Sequence, residues 1–167
     1  AGELYLLGQP TSTMDDEQRT ALRGRHLGFV FQFHHLISAF TALENVLMPV
    51  MVTRGRPDAA TVAHARALLA DVGLEKFAHR PPTELSGGQQ QRVAIARAII
   101  PAPTVVLADE LTGNLDSKSA MGVMSTLQGL NDDGATVVMV THDPFAASFC
   151  KRIVFIKDGK RFSEMTR

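Results

Sequence analysis

Hydrophobic positions along the chain fall into a pattern that predicts alternating strands and helices. Short, continuous apolar runs occur at Leu27–Phe31, Thr104–Ala108 and Thr136–Val140, and longer segments of helical character separate them. Continuous runs of this kind are typical of strands that are buried on both faces of a parallel sheet. The pattern therefore predicts an α/β fold with a mostly parallel sheet flanked by helices.

Capping residues predict where several helices begin. A side-chain oxygen at the N-cap accepts a hydrogen bond from an otherwise unpaired amide of the first turn. Thr41 followed by Glu44 matches the capping box, and Asp143 stands before a proline that suits the first helical position. Asp58 and Asp116 are placed to cap two further helices.

The two ends of the chain predict smaller elements. Glu3–Leu7 has the composition of a strand, and Ser12 or Thr13 is expected to cap a helix that runs through Arg23. Near the carboxyl end, apolar residues flank Asp158-Gly159, a dipeptide that favours a tight turn. The sequence therefore predicts a terminal β-hairpin.

The most informative stretch is Leu85–Ala98, with the sequence LSGGQQQRVAIARA. Ser86 is a good N-cap, and Gly87 and Gly88 carry no Cβ, so their backbone can approach a ligand closely. From Gln89 onward the residues favour helix. A helix N-terminus with unpaired amides and a positive dipole end is suited to binding phosphate.

Polar side chains follow each of the three predicted parallel strands. Gln32 follows the first strand, Asp109 and Glu110 follow the second, and His142 follows the third within two residues. The carboxyl ends of parallel strands meet at one edge of a sheet, where α/β folds bind their ligands. We therefore expect these side chains to lie close together.

Composition narrows the possible partners. The 167 residues suit one domain, and 17 basic residues balance 17 acidic ones, so charge gives no support to nucleic-acid binding. The single cysteine, Cys150, cannot form an internal disulfide and fits a reducing compartment. No apolar run reaches the roughly 18 residues that span a bilayer. Any membrane role must therefore come through a partner.

Five motifs, taken in order, resemble those of the ATP-binding domain of ABC transporters. The run Leu85–Ala98 is similar to the signature motif and the helix that follows it. Ala108–Glu110 with Thr112–Asp116, together with the ending Arg152–Gly159, is most similar to the branch that serves lipoprotein release, macrolide or peptide export and bacitracin resistance. The other similar segments are Gly28–Gln32 (Q-loop), Ala108–Glu110 (Walker B), Leu111–Asp116 (D-loop) and His142 (H-loop).

The resemblance implies ATP and Mg²⁺ as cofactors and a P-loop NTPase-like fold. It implies that Glu110 acts as general base or positions the attacking water, and that His142 contacts the γ-phosphate. Asp109 and Gln32 would hold the magnesium ion, and Gln32 would also contact the attacking water as part of the catalytic site. Leu111 stands where the family usually has proline, so we expect a looser turn beside Glu110.

The resemblance also implies a shared nucleotide site. Ser86, Gly87, Gly88 and Gln89 would bind the γ-phosphate of ATP that the other subunit holds, and Asp116 would belong to the same cofactor site. Two chains would then form a head-to-tail homodimer, or one chain would pair with another ATPase subunit, around a two-fold axis.

One family motif does not occur in these 167 residues, the phosphate loop Gly-x-x-x-x-Gly-Lys-Ser/Thr. In the family it lies upstream of the residue that matches Gly2. We expect one domain over residues 1–167 without its N-terminal strands and P-loop, and a helical signature subdomain at about residues 33–100. Because the absent strand would lie inside the sheet, we expect exposed apolar faces, and we expect the chain alone to be inactive.

The motifs together predict the ATP-binding subunit of an ABC transporter. Such a subunit couples ATP hydrolysis to export or extraction of a substrate through a transmembrane permease partner. It would be cytoplasmic and peripheral on the inner face of the cell membrane, with no nucleic-acid partner. Two alternatives are a non-transport ABC ATPase and a truncated, non-catalytic interaction module.

Overall fold

Helices and strands alternate along most of the chain, as the hydrophobic pattern predicts. The computed structural model describes residues 2–166. Within them, no helix has both the length and the hydropathy needed to cross a membrane. The strands are β1 (Tyr5–Leu6), β2 (Gln9–Pro10), β3 (Leu27–Val30), β4 (Val105–Asp109), β5 (Thr136–Val140), β6 (Arg152–Lys157) and β7 (Lys160–Thr166). The helices are α1 (Asp16–His26), α2 (Ala42–Arg54), α3 (Ala59–Asp71), α4 (Gly87–Ile99), α5 (Ser117–Asp132) and α6 (Pro144–Ala147).

The central sheet consists of β3, β4 and β5, in that order, and all three strands are parallel. Val106 in β4 pairs with Gly28 on one side and with Val137 on the other. The segments after the three strands therefore emerge at one edge of the sheet. This confirms the predicted α/β class with a parallel sheet.

Helix α4 packs closely against β3, and this contact requires a glycine. A Cβ on Gly28 would lie 2.6 Å from the carbonyl oxygen of Ala98 and 3.1 Å from the Pro103 ring. Any side chain at position 28 would therefore push the helix away from the sheet. The contact sets the distance between α4 and the strand that leads to Gln32.

Two hydrophobic cores meet on α4. Val93 and Ala96 belong to a core that also contains buried residues of α2 and α3. Ala94 and Ile95 belong to a second core, formed with the sheet and α5. Helix α4 is therefore held from both sides. A helical subdomain at about residues 33–100 stays a prediction, which the shared first core supports.

The predicted bounds of α1 were wrong at both ends. The N-cap is Asp15, whose side chain accepts from the Gln18 amide at 2.7 Å within a capping box, while Ser12 and Thr13 lie in a preceding 3₁₀ turn. The helix also continues through Gly24 to His26. A glycine inside a helix costs only about 1 kcal/mol, which tertiary context can override.

The terminal strands differ in how well they were predicted. In place of one strand at Glu3–Leu7, the short strands β1 and β2 pair around Leu7 and Gly8, which have positive φ values of 51° and 76°. The predicted carboxyl-terminal hairpin of β6 and β7 is confirmed. Asp158 and Gly159 at its turn have φ values of 51° and 71°, which suit the tight turns of hairpins.

Apolar side chains are exposed on β5 and on the terminal hairpin, as we expected of a sheet that lacks an interior strand. Val140 at the end of β5 is 62% exposed, and Ile156 and Phe162 in the hairpin are 73% and 75% exposed. Within the described residues, the hairpin forms a sheet separate from the central one. Exposed apolar surfaces of this kind are typical of interaction faces.

We predict that Asn45→Ala lowers the free energy of unfolding by about 3 kcal/mol. The Asn45 side chain is fully buried and makes four hydrogen bonds to the backbone of residues 37–41. Alanine would leave those backbone groups unpaired. Urea unfolding measures the loss, with Asn114→Ala at an exposed position as the control. Equal stability of the two variants would contradict the prediction.

Candidate functional site

Glu110 and His142 meet at the carboxyl edge of the central sheet. Glu110 follows β4 with a positive φ of 49°, and its amide donates to the Val140 carbonyl at 2.9 Å. Its Oε1 accepts from the His142 amide at 3.1 Å and lies 2.8 Å from His142 Nδ1. Glu110 is thus held by Val140 at the end of β5 and by His142 just after it, as the strand order predicts.

The two side chains differ in exposure, and this difference has a chemical consequence. The Glu110 side chain is 22% exposed and the His142 side chain is 85% exposed. Glu110 Oε2 has no hydrogen-bond partner within residues 2–166. The pair therefore offers a held carboxylate with one free oxygen, able to accept a proton, beside an imidazole open to solvent.

Gln32 and Asp109 lie on the same edge. Asp109 is the exposed last residue of β4, paired with Val140. A Cβ on Gly113 would lie 3.1 Å from Gln32 Nε2, so the glutamine amide packs against the turn that follows Glu110. Among the described residues, no three His, Cys, Asp or Glu side chains form a cluster that could hold a metal ion alone.

The turn after Glu110 is anchored by burial and by one polar contact. Leu111 is 3% exposed and belongs to the second core. Thr112 is 7% exposed, and its Oγ1 donates to Asp143 Oδ2 at 3.0 Å. Leu111 therefore holds this turn by packing against the second core.

Ser86 caps α4 as predicted. Its Oγ accepts from the Gln89 amide at 3.3 Å, while Gln89 Oε1 accepts from the Ser86 amide at 2.9 Å. This capping box turns the Gln89 side chain back onto the loop. The amides of Gly87 and Gly88 remain at the helix N-terminus, where the dipole favours an anion.

Gly88, in the first turn of α4, packs against the start of α5. A Cβ on Gly88 would lie 2.6 Å from Ser119 Cβ, whereas a Cβ on Gly87 would meet only Leu115 Cδ2, at 3.7 Å. Ser119 Oγ donates to Asp116 Oδ2 at 2.7 Å, and that bond, with the backbone amides of the first turn, lowers the pKa of Asp116. The Asp116 side chain also accepts from the backbone amides of Lys118 and Ser119, which confirms it as the N-cap of α5. Its part in a cofactor site stays a prediction.

The predicted site residues thus form two groups. Glu110, His142, Asp109 and Gln32 lie on the sheet edge, and Ser86–Gln89 lie with Asp116 at the contact of α4 and α5. Within residues 2–166, no hydrogen bond joins Ser86–Gln89 to the first group.

Several residues that contact the site were not predicted. Gln91 and Arg97 bind backbone carbonyls of the loop that contains Gln32. The ring of His34 is partly buried, which lowers its pKa, and a hydrogen bond with the Gly87 backbone opposes that shift. The only signal in the sequence was the presence of long polar side chains on a helix that is otherwise rich in apolar residues.

We predict that Gly88→Ala destabilises the protein by about 1–3 kcal/mol, because the added methyl overlaps Ser119. Gly87→Ala is the matched control and should change stability little, since its methyl meets only an ordinary contact. Urea unfolding of Gly88→Ala, Ser119→Gly and the double variant forms a cycle. If the overlap is real, the double variant should be at least about 1 kcal/mol more stable than the sum of the two single losses predicts. Strictly additive losses would contradict it.

Comparisons with known proteins agree with the motifs. The profile of the ABC transporter family matches residues 1–113. The lipoprotein-releasing system ATP-binding protein LolD 1 of Rhodopseudomonas palustris is 52% identical over 160 residues, which are 95% of this chain and 71% of that protein. LolD of Anaeromyxobacter dehalogenans is 51% identical over 95% of this chain and 67% of its own length.

Solved structures show the same relationship. A dimeric, post-hydrolysis structure of the ATP-binding cassette MJ0796 bound to ADP and Pi superposes with a TM-score of 0.87 at 44% identity, over 99% of this chain and 73% of that one. A second dimeric structure of MJ0796, described as a bacterial ABC transporter cassette, gives the same TM-score of 0.87 at 45% identity. The predicted family and fold class are confirmed: the chain belongs to the ABC transporter family, within the group of its ATP-binding proteins.

Proposed function

We propose that this chain acts in a subunit that hydrolyses ATP to drive transport through a membrane permease. The pairing of Glu110 with His142 at the carboxyl edge of the sheet carries the proposal, because it supplies a held carboxylate beside an exposed imidazole. The relatives named as lipoprotein-releasing ATP-binding proteins support transport as the purpose of the hydrolysis. They favour it over a non-transport ATPase or a non-catalytic module.

Glu110 would act on the attacking water. Its Oε1 is held by the backbone and ring of His142, and this leaves Oε2 to accept a hydrogen bond from water. Accepting a proton from that water as it attacks the γ-phosphate is worth about 10²–10⁴ in rate. Glu110 adopts the left-handed backbone conformation, with a positive φ of 49°, immediately after the end of β4.

His142 would contact the phosphate that is transferred. Nδ1 is occupied by Glu110 at 2.8 Å, so Nε2 is the ring atom available to a ligand. A protonated ring would donate to Glu110 and to a phosphate oxygen together, which stabilises charge that develops on the phosphoryl group. Because the ring is 85% exposed, it is open to a nucleotide that approaches from the sheet edge.

Asp109 and Gln32 are the proposed magnesium ligands. Mg²⁺ usually takes one or two protein carboxylates and completes its shell with phosphate oxygens and waters. An exposed carboxylate at the end of β4 and an amide beside Gly113 fit that requirement without a larger cluster. When bound, the ion would neutralise charge on the β- and γ-phosphates.

We infer that Ser86–Gln89 serve a nucleotide held by a second subunit. The capped N-terminus of α4 offers the amides of Gly87 and Gly88 to an anion, while residues 1–167 contain no phosphate-loop sequence to hold ATP beside it. The relative MJ0796 forms a dimer with ADP and Pi bound. A head-to-tail pair, placed on the cytoplasmic face of the membrane by the permease, would complete each site.

We predict that Glu110→Gln lowers the ATP turnover of the complete transporter by at least about 100-fold, because glutamine cannot accept the proton from water. Binding of ATP should persist, since the amide keeps the size and polarity of the carboxyl. Steady-state phosphate release and nucleotide binding measure the two effects. Glu75→Gln, at an exposed position in a 3₁₀ turn, is the matched control. Turnover at the unsubstituted rate would refute the role given to Glu110.

We also predict that the 167-residue polypeptide alone shows no ATP turnover, because its residues include no Gly-Lys-Ser/Thr loop to cradle the phosphates. Phosphate release by the purified polypeptide measures this directly. If the purified polypeptide turns over ATP and the Glu110→Gln variant of it does not, the Gly-Lys-Ser/Thr loop is dispensable and the prediction is wrong.

A further inference from the structure

Side chains of α4 hold the loop that contains Gln32, and they do so on both sides of that residue. On one side, Gln91 Nε2 donates to the carbonyl of Phe31 at 3.2 Å. On the other, Arg97 donates to the carbonyls of His34 and His35, each at 2.7 Å. Gln32 is thus bracketed by bonds from one helix.

Gln91 is an unusual residue for its position. It is 1% exposed, and its Oε1 has no hydrogen-bond partner within residues 2–166. A buried amide that is half-satisfied is unfavourable relative to an apolar side chain of similar size. Among the described residues, the bond to the Phe31 carbonyl is the hydrogen bond of the amide that an apolar residue would lose.

Arg97 matches two adjacent carbonyls with its planar fork. Nη1 donates to His35 and Nη2 donates to His34, and partial burial lowers the pKa of the guanidinium. His35 has a positive φ of 46°, a conformation that is uncommon for a residue other than glycine. A lysine keeps the charge but cannot donate to both carbonyls in this geometry.

These bonds join the loop to two points of α4. Gln91 lies in the second turn of the helix, and Arg97 lies near its end. Because α4 is a continuous helix packed in both cores, these points move together.

We propose that Gln91 and Arg97 are positioning residues that set the orientation of Gln32 and make it follow movements of α4. The proposal rests on the function given above, in which Gln32 acts at the reacting centre. Neither residue would touch the nucleotide. When a partner's nucleotide engages Ser86–Gln89, the resulting shift of α4 would reach Gln32 through these bonds, linking the two sites of a dimer.

The hydrogen bonds from Gln91 and Arg97 to the loop that contains Gln32, called the clamp below, can be tested without reference to hydrolysis. In the complete transporter, Arg97→Lys and Gln91→Leu should raise the rate of chymotryptic cleavage at Phe33 about tenfold, because the loop opens more often. Cleavage at the exposed Phe162 in the terminal hairpin serves as an internal reference and should not change. Unaltered cleavage at Phe33 in both variants would overturn the clamp.

The functional arm uses a double-variant cycle. Gln91→Leu and Arg97→Lys should each lower kcat for Mg²⁺-ATP about tenfold with little change in KM, and neither should lower it further in a Gln32→Ala background. Gln90→Leu is the matched control, because its Nε2 bonds the Pro82 and Leu85 carbonyls and not the Gln32 loop. Its effect should be the same in either background.

The possible results separate the two proposals. Losses in kcat that add fully to that of Gln32→Ala would overturn the positioning role, whatever the cleavage rates. Absence of turnover in the unsubstituted transporter would refute the proposed function, while the cleavage experiment would still judge the clamp. If Gln91→Leu does not fold, Arg97→Lys, which keeps the charge and most of the side chain, carries both arms.

Discussion

Because α4 contributes side chains to both hydrophobic cores, any movement of its N-terminus is coupled to the sheet on one side and to the α2–α3 pair on the other. Its close approach to β3 depends on Gly28, where a Cβ would lie 2.6 Å from a carbonyl of the helix. The capping box at Ser86 then fixes where the helix begins. The position of the Gly87 and Gly88 amides is therefore a consequence of core packing and of one local cap.

The chemistry at the sheet edge depends on parallel strand order in the same way. Since β4 and β5 are neighbours, the residues that follow them meet. Glu110 Oε1 accepts from the His142 amide and lies 2.8 Å from His142 Nδ1. The turn after Glu110 is held by the buried Leu111 and by the bond from Thr112 to Asp143. These anchors lie within the chain itself, so the carboxylate is oriented without a ligand. In the proposed function, such prior orientation would lower the cost of reorganisation during catalysis.

Features that depend on a few neighbouring residues could be predicted from the sequence. The caps at Ser86, Asp116 and Asp143 involve partners two or three residues away, and all three are confirmed. The start of α1 was missed because Ser12, Thr13 and Asp15 are all good caps, and only the capping box with Gln18 selects one. Contacts across 60 or more residues, such as those from α4 to the Gln32 loop, leave no local signal.

Gly88 shows how a motif can satisfy two constraints at once. A bare backbone suits close approach to phosphate, which is the reason the sequence suggests. The structure adds that a methyl group there would overlap Ser119, whose hydroxyl bonds the Asp116 cap of α5. Gly87 lacks this second constraint, since its methyl would meet one side-chain atom at 3.7 Å. A loss of activity on substituting Gly88 therefore does not by itself report phosphate binding, and the effect of Gly87→Ala is the cleaner measure of that interaction.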